Sequence, residues 1–167
     1  MSANRGADHG GDRDSVERRP WRERTPPRRI LAIRLQAIGD VVITLPCLQS
    51  LKALHPDAQL DFLTAEEARE VPASAGFLDR THVLTGGRAL WRRLPGALQL
   101  LPELRRRRYD LVIDLQRNGL SRLIRRALRP PAFSEFDRFA PYSAAERTRD
   151  AIEAAGLSPQ TAALPPQ

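Results

Sequence analysis

The chain has 167 residues, 41% of them hydrophobic, and a net charge of +7. That is enough for one domain with a sizeable core, while no apolar run reaches the roughly 18 residues of a membrane span. The polar, charged start is no secretory signal, and Cys47, the single cysteine, can form no intrachain disulfide, which fits a cytoplasmic protein.

Residues 1–29 mix Gly, Asp, Arg, Glu and Pro with almost no aliphatic side chains. Such a stretch cannot bury enough apolar area to offset its ordering entropy and reads as a disordered tail. Residues 30–35 then form a β-branched and aliphatic run, the pattern of a buried strand. A tight turn is expected at Ile38-Gly39-Asp40. Beyond it Val41, Leu45, Leu48, Leu51 and Leu54 recur at helical spacing. His55-Pro56-Asp57 ends that helix, since proline disfavours helical geometry in its predecessor.

A second strand follows over 59–64, a short helix over 66–70 and a weaker strand over 81–84, closed by Gly86-Gly87. Residues 90–108 carry a helical pattern interrupted by Pro95 and Pro102. The next strong strand is 109–115. It leads through Gln116-Arg117-Asn118-Gly119 into a helix with Leu120, Leu123, Ile124 and Leu128 on one side. Residues 132–136 suggest a fifth strand. Ser143 and Glu146 have capping-box spacing, and Gly156 closes the helix they start. Residues 158–167 read as a linker. Strands alternating with helices predict a doubly wound, mostly parallel α/β sheet over 30–157, with 30–35 and 111–115 as central strands.

Chemistry is expected where strands end and helices begin. Asp40 stands at such a junction, either as a helix cap or as a general base at the carboxyl edge of the sheet. The turn lacks the glycines of a dinucleotide fingerprint and the lysine of a P-loop. Asp114 reads as a buried carboxylate bonded to backbone amides of the next loop. Gln116, Arg117 and Asn118 form a polar cluster suited to hydroxyls or an anion, or an ordinary loop.

Of the 27 basic residues Lys52 is the only lysine, so the arginine excess reflects composition before it reflects nucleic acid. The run Arg105–Arg108 reads as a solvated helix end. Arg122, Arg125, Arg126 and Arg129 line a second helix and offer forks for phosphate or carboxylate. No aromatic residues are interleaved as stacking platforms, which argues against single-stranded nucleic acid binding.

These motifs, in order, resemble glycosyltransferase family 9, the ADP-heptose:lipopolysaccharide heptosyltransferases. The likeness rests on 30–35 with Ile38-Gly39-Asp40-Val41-Val42 and Thr44-Leu45-Pro46, on His55-Pro56-Asp57-Ala58, on Tyr109-Asp110-Leu111-Val112-Ile113-Asp114-Leu115-Gln116 and on Glu146-Arg147-Thr148.

The resemblance implies a GT-B architecture, of which residues 30–157 would be the N-terminal, acceptor-side Rossmann-like domain. It implies Asp40 as catalytic base, with Gly39, Gln116, Arg117 and Asn118 near the acceptor. The activity implied is inverting transfer of heptose from a nucleotide-heptose donor to a lipopolysaccharide core acceptor. No cofactor or obligatory metal is implied. The donor would sit on a C-terminal domain without counterpart here, so the chain alone is expected to be inactive. An anionic glycolipid acceptor would place the protein at the inner face of the plasma membrane. Arg117 stands where family members often have glycine. A non-catalytic anion- or glycolipid-binding module is the alternative, and a nucleic-acid-binding protein a more distant one.

Overall fold

The computed structural model describes residues 15–157; residues 1–14 of the expected tail and the whole of the expected linker, 158–167, lie outside the described residues. Five strands form one sheet: β1 (Arg29–Ile33), β2 (Gln59–Ala65), β3 (Arg80–Leu84), β4 (Leu111–Asp114) and β5 (Ala132–Glu135). Their order is β3-β2-β1-β4-β5 and every pairing is parallel. Five helices connect or follow them: α1 (Ile38–Leu54), the one-turn α2 (Glu70–Ala73), α3 (Leu94–Arg107), α4 (Gly119–Leu128) and α5 (Ala144–Ala154). The expected Rossmann-like α/β layer is therefore present, and β1 and β4 are interior strands as predicted.

Alternation along the strands divides the core in two. Ile30, Ala32, Leu60, Phe62, Leu111 and Ile113 pack with Val41, Leu48 and Leu51 of α1 and Ala151 and Ile152 of α5. Leu31, Ile33, Leu63 and Val112 point the other way, against Ala97 and Leu104 of α3 and Leu120 and Ile124 of α4. Side chains of β1 are buried on both sheet faces, which is why its sequence is continuously apolar. Among the described residues no helix is long and apolar enough to cross a membrane.

The helix ends show where local signals sufficed. The Ser143 hydroxyl accepts from the Glu146 N–H at 3.3 Å, and the Glu146 carboxylate accepts from the Ser143 N–H at 2.9 Å; this is the expected capping box. At the other end of α5, Gly156 has φ +87°, and a Cβ there would stand 2.6 Å from the Trp21 carbonyl oxygen. Glycine is required both by the left-handed backbone and by that close approach. The prolines of α3 do not divide it: Pro95 falls in the first turn, where its missing N–H has no helical partner to lose, and Pro102 lies within the helix.

The N-terminal segment departs from the sequence expectation over its described part. Arg19 forms an antiparallel bridge with Phe133 of the edge strand β5, with backbone bonds of 2.8 Å in both directions. The Trp21 N–H donates to the Ala155 carbonyl at 2.8 Å, and its ring packs against the core. Arg18 pairs with Asp150 at 2.8 Å. Sparse aliphatic content predicted disorder, but the segment draws order from an unpaired strand edge, which supplies backbone partners regardless of side-chain composition.

Candidate active site

The strand order reverses between β1 and β4, since β1 leads outward through β2 to β3 before the chain crosses back. Ligands of open α/β sheets bind outside the carboxyl ends of the strands at such a point. Here the loop after β1, residues 34–37, meets the loop after β4, residues 115–118.

The two loops are stitched together. The Gln116 side-chain oxygen accepts the backbone N–H groups of Leu35 at 3.0 Å and Gln36 at 3.1 Å. From the opposite direction the Arg34 guanidinium donates to the Leu115 carbonyl. Arg34 also lies over the Phe136 ring, 5.2 Å from its centroid, and pairs with Asp40 at 2.9 Å. One arginine thus connects β1, the β4 loop, the end of β5 and the first turn of α1.

The predicted turn at Ile38-Gly39-Asp40 is instead the first turn of α1. Ala37 is the N-cap residue and has no side chain able to cap, while Asp40, three residues on, accepts the Ala37 N–H at 3.2 Å. Asp40 therefore does the reaching-back half of a capping box and is not the cap itself. Burial alone would raise its pKa, but the Ala37 N–H and the Arg34 guanidinium outweigh it and the net shift is downward. The carboxylate is ionised at neutral pH, and its side chain is 41% exposed. Gly39 beside it is open: a Cβ there would meet nothing within 4 Å.

The remaining candidates are committed to the scaffold. Asn118 is the N-cap of α4, its side-chain oxygen accepting from the Ser121 N–H at 2.8 Å. Arg117 is buried, with φ +49°. Its guanidinium faces Glu135 at 3.9 Å and Asp137 at 3.7 Å. Gln116 is spent on the loop amides. Asp40 and Gly39 thus present themselves to solvent at the sheet edge, whereas Gln116, Arg117 and Asn118 hold the edge together.

Asp114 behaves as its composition suggested. It accepts from the N–H groups of Gln116 at 3.0 Å and Arg117 at 2.8 Å and from the Ser121 hydroxyl at 2.8 Å. Complete burial pushes its carboxyl up to about 6 despite those bonds, and the nearby Glu135 charge adds to the rise.

The arginines of α4 are not an open cationic face. Arg122 and Arg125 pair with fully buried Glu135 at 2.7 and 3.1 Å, and Arg125 and Arg126 reach Glu17 of the N-terminal segment at 2.5 and 2.8 Å. Periodicity located these arginines on one helix; it could not reveal that a glutamate of β5 and another of the N-terminal segment meet them.

Sequence reasoning missed Arg34, although an arginine at the end of an aliphatic run was the available signal. It also missed a buried group at the opposite edge of the sheet. Asp61 there accepts from the Tyr109 hydroxyl at 2.6 Å and from Arg107 at 3.2 Å, and His82 lies 3.0 Å from the Tyr109 oxygen. Asp61, Arg107 and His82 lie in none of the quoted motifs, and Tyr109 reads in the sequence only as the start of a strand. Hollows away from Asp40 include an apolar groove of about 360 Å³ between α1 and α5, lined by Pro46, Cys47, Leu51 and Ile152, and a polar one of about 580 Å³ at the Arg29–Arg107 edge.

No family model matches the sequence. Lipopolysaccharide heptosyltransferase 3 of Escherichia coli (strain K12) is 28% identical over 91 residues, which are 54% of this chain and 26% of that protein. The chain thus spans about a quarter of the length of this curated relative. In structure, the glycosyl transferase family 9 protein from Veillonella parvula DSM 2008 superposes with a TM-score of 0.69 at 19% identity, covering 80% of this chain and 42% of the other. The E. coli heptosyltransferase WaaC, solved with ADP, gives a TM-score of 0.55 at 22% identity over 80% of this chain and 49% of its own. In sequence over about half its length, and in fold over most of it, the chain resembles the glycosyltransferase family 9 heptosyltransferases.

Proposed function

We propose that this chain is the acceptor-side, N-terminal domain of an inverting glycosyltransferase that moves heptose from a nucleotide-heptose to a lipopolysaccharide core acceptor. The observation that carries the reading is Asp40: an ionised, accessible carboxylate, oriented by Arg34 and the Ala37 N–H, at the point where the strand order reverses. The likeness to heptosyltransferases supplies the sugar and the acceptor class, and the ADP named with WaaC supplies the nucleotide.

In the reaction, an acceptor hydroxyl attacks the anomeric carbon from the face opposite the leaving group. The new C–O bond forms as the bond to the nucleotide diphosphate breaks, and the hydroxyl proton passes to the Asp40 carboxylate. The product is the inverted glycoside, with the nucleoside diphosphate departing. A carboxylate of lowered pKa is a weak base toward a resting alcohol. Its work comes late, once bonding to the electron-poor anomeric carbon has made the hydroxyl acidic. General base assistance of this kind contributes typically ~10²–10⁴-fold. Arg34 keeps the carboxylate ionised and aimed, and shares it with the incoming hydroxyl.

Transfer also requires a wall that holds the donor, because positioning the two reactants supplies up to ~7–11 kcal/mol of the barrier. On this reading the chain alone binds acceptor without turnover, and activity appears when a donor domain faces it. The test incubates the chain, alone and joined to a family 9 donor domain, with ADP-heptose and heptose-deficient lipopolysaccharide. Product is read by mass spectrometry. Transfer by the joined protein that is lost in Asp40→Asn supports the assignment; a near wild-type rate for that variant removes Asp40 as base.

A further inference from the structure

A surface helix ordinarily turns polar residues outward. The segment Leu90–Arg107 does the reverse over its first half. Leu90, Trp91, Leu94 and Leu98 are 46, 73, 39 and 57% exposed, and Pro95 is exposed with them. The face that α3 turns to the sheet is already supplied by Ala97 and Leu104, with Leu100 and Leu101 partly covered. The outer stripe is therefore additional to what the core needs, and contiguous exposed apolar surface of this kind marks a contact site.

The charge around the stripe is one-sided. Arg92 lies over the Trp91 ring, 5.2 Å from its centroid. The far end of the helix carries exposed Arg105, Arg106 and Arg108. Arg93 and Arg107 do not count toward this excess, being paired with Glu67 and Asp61. Nor does Arg88, which shares a hollow with Glu66 and Glu70. Glu103 is the only acid between 88 and 108, and it faces His82. An indole and leucines on an exposed helical face, flanked by arginines, match the chemistry of an interfacial helix on an anionic lipid surface.

We infer that the outer face of Leu90–Leu98 docks on an anionic lipid bilayer, Trp91, Leu94 and Leu98 entering the headgroup boundary and Arg92 and Arg105 meeting lipid phosphates. The geometry gives the contact a use. The apolar half of the helix begins just after β3, at the same carboxyl edge of the sheet as Asp40. β3 lies two strands from β1, a separation of about 10 Å. Docking there sets the open edge of the site beside the membrane, where a lipid-borne acceptor resides. To that extent the inference rests on the proposed function; the contact itself does not.

The experiment sediments the 167-residue chain with vesicles of phosphatidylethanolamine and phosphatidylglycerol, and with phosphatidylcholine alone. Binding to the anionic vesicles is expected to exceed that to the neutral ones and to weaken with salt. Replacing Trp91 and Leu94 by serine should reduce it at least about tenfold. Arg92→Gln and Arg105→Gln should each reduce it about fivefold, with circular dichroism unchanged because these side chains are exposed. The inference is overturned if the chain ignores anionic vesicles, if these variants bind as wild type, or if neutral vesicles bind equally well. It is also overturned if the stripe is buried in a Trp91-dependent dimer, or if the same arginines serve duplex RNA with no lipid binding. No sugar donor is present, and Asp40→Asn is expected to bind vesicles as wild type. Failure here therefore leaves the assignment of Asp40 standing, and failure of that assignment leaves this contact standing.

Discussion

Gln116 offers a sharp test of how the candidate site is built. Its side-chain oxygen accepts two backbone N–H groups of the β1–α1 loop, those of Leu35 and Gln36. Leu35 is fully buried, so Gln116→Ala orphans a donor that water cannot reach, at a cost of ~1–3 kcal/mol. Gln36 is partly exposed, and its N–H regains water at a smaller cost. The expected loss is about 2–4 kcal/mol, a large share of the ~5–15 kcal/mol that holds a typical domain together. Gln116→Glu keeps an oxygen acceptor and is expected to stay within about 1 kcal/mol of wild type. Urea denaturation of the chain measures both changes, and amide exchange at Leu35 and Gln36 reports the local opening. If Gln116→Ala unfolds within about 0.5 kcal/mol of wild type and those amides exchange no faster, the stitch is not what positions the Asp40 loop. Gln116 would then be free to serve the acceptor, as its sequence context suggested.

Asp40→Asn should cost little stability, because the asparagine oxygen can still accept the Ala37 N–H; near-native unfolding with transfer abolished in the joined protein is the expected pair of results. Asp114, whose carboxyl is pushed up to about 6, ionises in the unfolded chain before it does in the folded one. The penalty is absent below about pH 4 and grows as pH rises through 6, reaching ~3 kcal/mol. The wild-type stability minus that of Asp114→Asn, from urea midpoints across this range, should therefore fall with rising pH; a flat difference would show that the three hydrogen bonds keep the group ionised. Arg125→Met removes one of the cations that neutralise fully buried Glu135. Calorimetry should register a loss near 3 kcal/mol, toward the lower end of what broken buried pairs cost because Arg122 remains.

Periodicity and punctuation in the sequence determined the elements of this protein. Residues 30–33 and 111–113 are unbroken apolar runs because both of their faces are covered, and that requirement is local to the strand. The Ser143–Glu146 cap and the Gly156 stop were legible for the same reason, since both partners lie within one helical turn. Boundaries were less so: the helix was expected from Val41 but begins at Ile38, because Asp40 can satisfy the Ala37 N–H from inside the first turn. What only the tertiary structure decided is the use of each polar side chain. Gln116, Arg117 and Asn118 are equally suited by type to bind a ligand. Gln116 and Arg117 are spent on Leu35, and on Glu135 and Asp137, partners that come within reach only because β1, β4 and β5 lie side by side, while Asn118 caps α4 through Ser121, three positions on. Asp40 keeps its carboxylate exposed while Arg34, six positions earlier, turns back to orient it. A charged group's environment depends on which strands become neighbours, and that choice is made by long-range burial, which no short stretch of this sequence carries.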